Sequence, residues 1–394
     1  MVRFESVDFV ADPLVGDRLH RVLASARTVP GGAWGSLVGQ RALVVTGFDE
    51  LRTFLADDEQ FPGGPVYEFQ IEPVVGRTFI SADGAEHHRL RQLTMPAFRS
   101  RAITRFVDDE LVPLAHEIVD RFVARGEADL VTELTEVLPY RSISRKVGLP
   151  VESEGRQRAL ARTMLTYPVT PDAAVAAAAE VGALVAPVIE QRRREPTDDV
   201  VSGLLGADRD GDRLSDEQVS SHVQLMYAVG ATTTADAMSS MLRLVLTHPE
   251  VAERVRAEPA HASRVVHECL RCESPVAVLP RLVARGGTVG GVELPAGSLV
   301  LAALAGANRD PAVFADPDRF DPDRDESDIL TFGFGTKHCP GAHLGRRQLA
   351  AALTVVLERL PGLRLVEATE PSGGILRSVS TLRVSWDARA ATRV

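Results

Sequence analysis

Residues 332–341 read Phe332-Gly333-Phe334-Gly335-Thr336-Lys337-His338-Cys339-Pro340-Gly341, and a long apolar helical pattern follows at once. Glycines let the backbone turn tightly and lie close to a flat partner. A cysteine at the start of a helix sits among unpaired N–H groups, which favours its thiolate. Taken alone, the same stretch also fits a buried cysteine in a Gly-rich turn.

Outward from this loop, helical spacing runs over residues 344–360, Pro361-Gly362 stops it, and residues 363–386 look like strands. Upstream, residues 310–328 are Asp/Pro-rich and irregular, and residues 284–301 alternate Val and Leu between turn residues, as short strands do. Further back the text is helical: 262–271, a helix starting at Pro249, 215–248 opened by Ser215 with Glu217, and 173–194 ended by Arg192, Arg193 and Arg194. Helical spacing continues at 131–147 with a kink expected at Pro139, at 103–125 and at 86–97. Residues 61–83 read as a Gly/Pro-containing loop, 48–56 as a short helix and 41–45 as a short strand. The fold class is mainly α with a small β-rich part, in one unit over residues 1–394.

Composition narrows the function. The 394 residues bury enough apolar surface to need no disulfide. Acidic residues number 54 against 44 Lys plus Arg, a net charge of -10, which argues against nucleic acid as the main partner. Three cysteines, Cys269, Cys272 and Cys339, fit a reducing compartment, and the N-terminus lacks a signal-peptide pattern. No stretch reads as the ~20 apolar residues of a membrane span. A cytoplasmic enzyme without a membrane partner is expected.

Other patterns stand out. Glu268-x-x-Arg271 places two opposite charges on one helix face, ordinarily a surface pair. His87 and Arg91 lie one helical turn apart. Val229-Gly230-Ala231-Thr232-Thr233-Thr234 interrupts the long helical stretch with polar residues. Cys269-x-x-Cys272 beside His267 invites a zinc reading, but His267 lies about 200° around the helix from Cys269 and no second pair exists. Both cysteines are read as buried packing residues.

In combination these motifs resemble the cytochromes P450, particularly the soluble bacterial members, from about Val45 to the C-terminus. The resemblance implies the cytochrome P450 fold and a haem b (iron protoporphyrin IX) cofactor with Cys339 as its thiolate metal ligand. Phe332 would pack beside the cysteine, and Gly335 and Gly341 would shape the loop. Arg346 falls where relatives often carry arginine. His87, Arg91, Arg281 and Lys337 would meet the haem propionates. Glu268 and Arg271 would lock the fold with a later cluster containing Asp316, Pro317, Arg319 and Phe320. In the long helix Gly230 would leave room above the haem, and Thr233 would hydrogen-bond bound dioxygen. The family carries an acid where this chain has Thr232. Protons would then come through water, through Asp236 one turn on, or from the substrate.

The implied activity is a monooxygenase reaction that hydroxylates or epoxidises a hydrophobic small molecule with dioxygen, in secondary metabolism. Electrons would come from a ferredoxin and its ferredoxin reductase, docking on Lys337, Arg346, Arg347, Arg99 and Arg101. Pocket walls would come from residues 61–80, 164–169, 226–233, 276–279 and 375–379. Thr232 keeps a second outcome open, oxidative cyclisation, coupling or peroxide use. A non-catalytic haem-binding module is the third.

Overall fold

The computed structural model describes residues 7–29, 32–98, 100–150, 154–325 and 328–391, without the side chains of 97, 100, 101 and 154. The helix Asp216–Leu246 is its axis. With 31 residues it spans about 46 Å. Ser215 caps it, accepting from Gln218 N while the Gln218 side chain returns to the Ser215 N–H. The capping partner is thus Gln218 rather than Glu217. Helices Leu138–Val147, Glu154–Met164, Pro171–Arg194, Ala262–Cys272 and Ala342–Arg359 pack around it. A helix enclosed this way is a core element, which is why its apolar pattern has no single face.

Several expected elements divide at prolines. The stretch 103–125 breaks into Ser100–Phe106, a π-helical turn Val107–Leu111 and Val112–Asp120. Pro113 offers no N–H to the preceding turn, and the widened turn lies immediately before it. The same happens before Pro139, where Val131–Thr135 is π-helical and Leu138–Val147 starts afresh. Residues 61–83 are not a loop: they hold helices Gly64–Gln70 and Glu72–Val75. Pro65 and Pro73 sit in the first turns, where a missing N–H costs nothing.

Pro171–Arg194 is long and apolar enough, by length and composition, to cross a membrane, contrary to the reading above. Its stripe Ala174, Ala177, Ala178, Val181, Val185, Val188 and Ile189 is buried. The helix packs on Glu154–Met164 and Asp216–Leu246.

The β part is small, as expected. A four-stranded sheet has the order Ala33–Leu37, Gln40–Val45, Leu299–Ala302, Leu279–Leu282. Gln40–Val45 runs parallel to Leu299–Ala302, and the outer pairs are antiparallel. The first hairpin turns through Val38 and Gly39, both with positive φ (51° and 75°), as a two-residue mirror-type turn requires. Glu127–Asp129, Leu382–Ser385 and Arg364–Ala368 form a second sheet, and Gly287–Val289 pairs with Val292–Leu294.

A buried ionic knot ties residues 14–20 to this framework. Arg377 donates to Glu273 Oε2 (2.7 Å), to Leu14 O (2.9 Å) and to Gly16 O (2.6 Å). His20 Nε2 meets Glu273 Oε1 at 3.1 Å. Burial alone would raise the Glu273 pKa, but the His20 hydrogen bond and the Arg377 and Arg309 charges hold it down to about 2. Burial lowers the His20 pKa while Glu273 pulls it up, so His20 and the two arginines together hold the carboxylate. A depressed carboxylate contributes stability above its unfolded pKa and loses it as pH falls through the folded value. The expected loss, on the order of 3 kcal/mol between about pH 4.5 and 2, is absent in Glu273→Gln, which is less stable at pH 7. Urea midpoints measured against pH for both proteins check this; identical acid limbs would refute it.

Candidate active site

The cysteine loop closes on itself. Cys339 N donates to Phe332 O at 2.9 Å. Gly333 and Gly335 have φ of 72° and 74°. A Cβ on Gly335 would stand 2.8 Å from Leu55 O and 3.1 Å from Ala56 Cα, so helix Phe48–Ala56 requires glycine there. A Cβ on Gly341 would stand 3.8 Å from Cys339 Sγ, so the sulfur is also flanked by a residue without a side chain. The Arg346 guanidinium lies over the Phe332 ring at 4.3 Å.

Burial pushes the Cys339 thiol pKa up, against Gly341 and Ala342 N–H groups and the Arg91 and Arg346 charges that pull it down. The thiolate expected from the helix start is therefore not favoured by the protein alone, because desolvation outweighs the N–H field. A metal ion on the sulfur would supply the missing positive charge.

The four expected basic residues behave differently from one another. Arg281, on strand Leu279–Leu282, is 4% exposed and, among the described residues, donates only to its neighbour Pro280 O, at 2.9 Å. Among the described residues no carboxylate lies within 4.0 Å of it. A guanidinium this deep calls for an anion. Arg91 donates to His338 O, the carbonyl beside Cys339. His87 is buried, and burial with the nearby Lys337 and Arg91 charges lowers its pKa to about 4. It is a neutral N–H donor, not a cation. Lys337 is already paired: its ammonium lies 2.6 Å from Asp83 Oδ1 and 2.5 Å from Ala82 O, with the side chain 7% exposed. Its charge is matched by Asp83, which corrects the expectation of a free basic contact. The donor set, one thiol with buried cationic and N–H groups around it, fits an anionic iron cofactor.

In the long helix, Val229, Gly230, Thr233 and Thr234 are half-buried between fully buried neighbours, and they share one face. Thr233 Oγ1 donates to Val229 O and Thr234 Oγ1 to Gly230 O, both at 2.8 Å. Thr232 faces elsewhere. Its hydroxyl meets the Tyr140 hydroxyl at 3.1 Å, and both residues are buried. A Cβ on Gly230 would lie 3.2 Å from Ile143 Cδ1. On that side the missing side chain lets helix Leu138–Val147 approach closely.

The lock at Glu268 and Arg271 is buried, not a surface pair. Arg271 Nε and Nη2 donate to Glu268 Oε2 and Oε1 at 2.7 and 2.8 Å. It also donates to the carbonyls of Asn308 (2.9 Å), Pro317 (2.8 Å) and Arg319 (3.0 Å) and to Cys272 Sγ (3.2 Å). The later segment thus contributes backbone; the Arg319 side chain is 68% exposed, and it is Arg324 that reaches Glu268, at 3.4 Å. Cys269 and Cys272 are buried behind this lock, as packing residues.

Among the pocket-wall segments, 276–279 meets 375–379 through the Val276–Leu376 bridge and Ala277 N to Ile375 O (2.8 Å). His222 joins 61–80 to the long helix by accepting from Phe79 N at 3.2 Å, while Nδ1 donates to Gln218 O at 2.6 Å. Sequence reading passed over His222; its signal was a histidine amid apolar helix positions. Of the expected docking residues, Arg346 stacks on Phe332 and Arg347 pairs with Asp108 at 2.8 Å. Arg99 and the Arg101 side chain lie outside the described residues.

The family model for Cytochrome P450 matches residues 162–361. The chain is 35% identical over 361 residues to the mycinamicin IV hydroxylase/epoxidase of Micromonospora griseorubida, covering 88% of this chain and 90% of that one. It is 37% identical over 322 residues to the nocardicin C N-oxygenase of Nocardia uniformis subsp. tsuyamanensis, covering 78% and 79%. The structure of cytochrome P450 PksS of the Bacillus subtilis 168 bacillaene polyketide synthase superposes with a TM-score of 0.85 at 26% identity, over 93% of this chain and 96% of that one. With the cysteine loop, the buried Glu268–Arg271 lock and this likeness over nearly the whole length, the chain belongs to the cytochrome P450 family, as a haem-thiolate monooxygenase of bacterial type acting on small molecules.

Proposed function

We propose that the chain, as one domain over residues 1–394, hydroxylates or epoxidises a hydrophobic secondary metabolite in the cytoplasm, with haem b held by Cys339. The observation that carries this reading is the loop in which Cys339, bonded through its N–H to Phe332 O, heads the helix Ala342–Arg359 between Arg91 and Arg346. Bound there, the haem iron supplies dioxygen activation, and thiolate ligation favours O–O cleavage.

The protein's share is placement and proton control. Arg281, Arg91 and the neutral His87 N–H would bind the propionates, with Lys337 contributing through its pairing with Asp83. The half-buried face of Val229, Gly230, Thr233 and Thr234 would adjoin the reacting oxygen, and the Thr233 hydroxyl, turned from Val229 O, would be its hydrogen-bond donor. Gly335 and Gly341 let neighbouring groups close around the loop and exclude water. Electrons would come from a ferredoxin and its reductase, docking on basic residues that include Arg346 and Arg347. The relatives named for mycinamicin and nocardicin support a natural-product substrate.

A second reading rests on Thr232. Where relatives carry an acid, this side chain is bonded to Tyr140. An enzyme so built could close rings or couple bonds without oxygen transfer. Turnover under 18O2 with ferredoxin, reductase and NADPH, across macrolactones, terpenes and cyclic peptides, separates the two. Products carrying one 18O atom are expected. Products lacking label and two hydrogens would replace this reading with the second; NADPH consumption with no oxidised product would remove both.

A further inference from the structure

The long helix carries a carboxylate, Asp236, in its buried middle. Asp236 is 1% exposed. Arg162 Nη2, on helix Glu154–Met164, donates to its Oδ1 at 2.9 Å and lies 3.5 Å from Glu136 Oε1. The Arg162 side chain is 37% exposed and that of Glu136 27%, so the cluster runs from solvent into the helix interior. One turn before Asp236, on the same face, stands Thr232 with its hydroxyl against Tyr140. Glu136, Tyr140 and Arg162 are the charged or titratable groups that act on Asp236 from the elements packed there. Burial raises the Asp236 pKa to about 6, and Arg162 offsets that only in part. A carboxyl with such a pKa gives and takes a proton near neutrality.

We propose that Asp236 is the acid this chain uses in place of the one missing at Thr232, passing protons through the Tyr140–Thr232 hydroxyl pair toward Thr233. Asp236 and Thr232 are separated by one helical turn, and Tyr140, whose hydroxyl meets Thr232, lies close enough to feel the Asp236 charge. The inference rests on the reading of Thr233 as the hydroxyl beside dioxygen. The balance is RH + O2 + 2e− + 2H+ → ROH + H2O. The C–H and O–O bonds break, and C–O and O–H bonds form. The redox partner supplies the electrons. Solvent supplies the protons at the Glu136–Arg162 side, so Asp236 is reprotonated after each transfer. Acting through Thr232, Asp236 is a positioning residue. When protons arrive too slowly, oxygen leaves as hydrogen peroxide.

The test uses the haem-loaded protein with a plant-type ferredoxin, its reductase and NADPH, and needs no substrate, because without RH the oxygen leaves as water when protons arrive (O2 + 4e− + 4H+ → 2H2O) and as hydrogen peroxide when they do not (O2 + 2e− + 2H+ → H2O2). Peroxide released per NADPH and the H2O/D2O rate ratio are measured against pH. Asp236→Asn and Tyr140→Phe are each expected to raise peroxide release by about tenfold and to remove a titration step near pH 6. Asp236→Glu restores wild-type behaviour. Tyr140→Phe removes only a hydroxyl and carries the test if Asp236→Asn does not fold. Unchanged peroxide yield in both variants, with Thr233→Ala uncoupled, overturns the relay and leaves the Thr233 reading standing. If Thr233→Ala is also unchanged, the Thr233 reading fails and the relay with it. Lower thermal stability at a normal peroxide yield makes Asp236–Arg162 a fold contact only, and likewise overturns the relay.

Discussion

Cys339→Ser is expected to abolish the strongly red-shifted Soret band of the reduced, carbon-monoxide-bound protein. A thiolate donates far more electron density to iron than a neutral alcohol. Serine at this position has no accessible anion near neutral pH, and the surrounding field is too weak to create one. Even the more acidic thiol is pushed up by burial despite Arg91, Arg346 and two N–H groups. The iron therefore supplies the compensating charge only to a group that ionises readily, and cysteine is that group. Cys269→Ala provides the control, because Cys269 is buried at the Glu268–Arg271 helix and its thiol is pushed still further from ionising. It is expected to retain the band. The same spectrum in wild type and Cys339→Ser would remove the assignment of the ligand.

The largest stability effect is expected from Glu268→Ala, about 3–5 kcal/mol in urea unfolding. Arg271 is 1% exposed and Glu268 3%, so neither charge has water to fall back on. Glu268 accepts from Arg271 twice, from Asp321 N at 2.9 Å and from Arg324 at 3.4 Å. Removing it leaves a buried guanidinium unmatched and frees an N–H and a second arginine. The Arg271 bonds to Asn308, Pro317 and Arg319 carbonyls remain, which is why the fold survives at all. Glu268→Gln keeps the shape and acceptor oxygen but loses the charge, and a smaller loss is expected. A loss under about 1 kcal/mol in Glu268→Ala would place the pair in the class of surface salt bridges.

Much of the helical framework was legible because its determinants are local. Ser215 and Gln218, three residues apart, start the long helix. The glycine at 148, with φ of 97°, ends Leu138–Val147 just before Leu149-Pro150. Prolines were the ambiguous punctuation. Pro139 was rightly suspected of interrupting a helix, whereas Pro65 and Pro73 begin helices in a stretch that looked like loop. The strand Ala33–Leu37 is short, and its outer edge is bridged by chain that precedes it, Asp8 to Ser36. Its alternation alone is too brief to declare it.

The sequence by itself determined the family, the mainly helical class and the cysteine loop, because those reside in residue types at fixed short spacings. Only the tertiary structure decided which charges are matched and which are not. Lys337 and Asp83 are 254 residues apart along the chain yet 2.6 Å apart in space, so Lys337 is spoken for, while among the described residues no carboxylate lies within 4.0 Å of Arg281. Arg324, not Arg319, reaches Glu268, and Thr232 turns to Tyr140 while Thr233 keeps to its own helix. Periodicity says which face of an element is apolar. It says nothing of which distant polar atom that face will meet, and in a buried site that partner sets the pKa and the role of each residue.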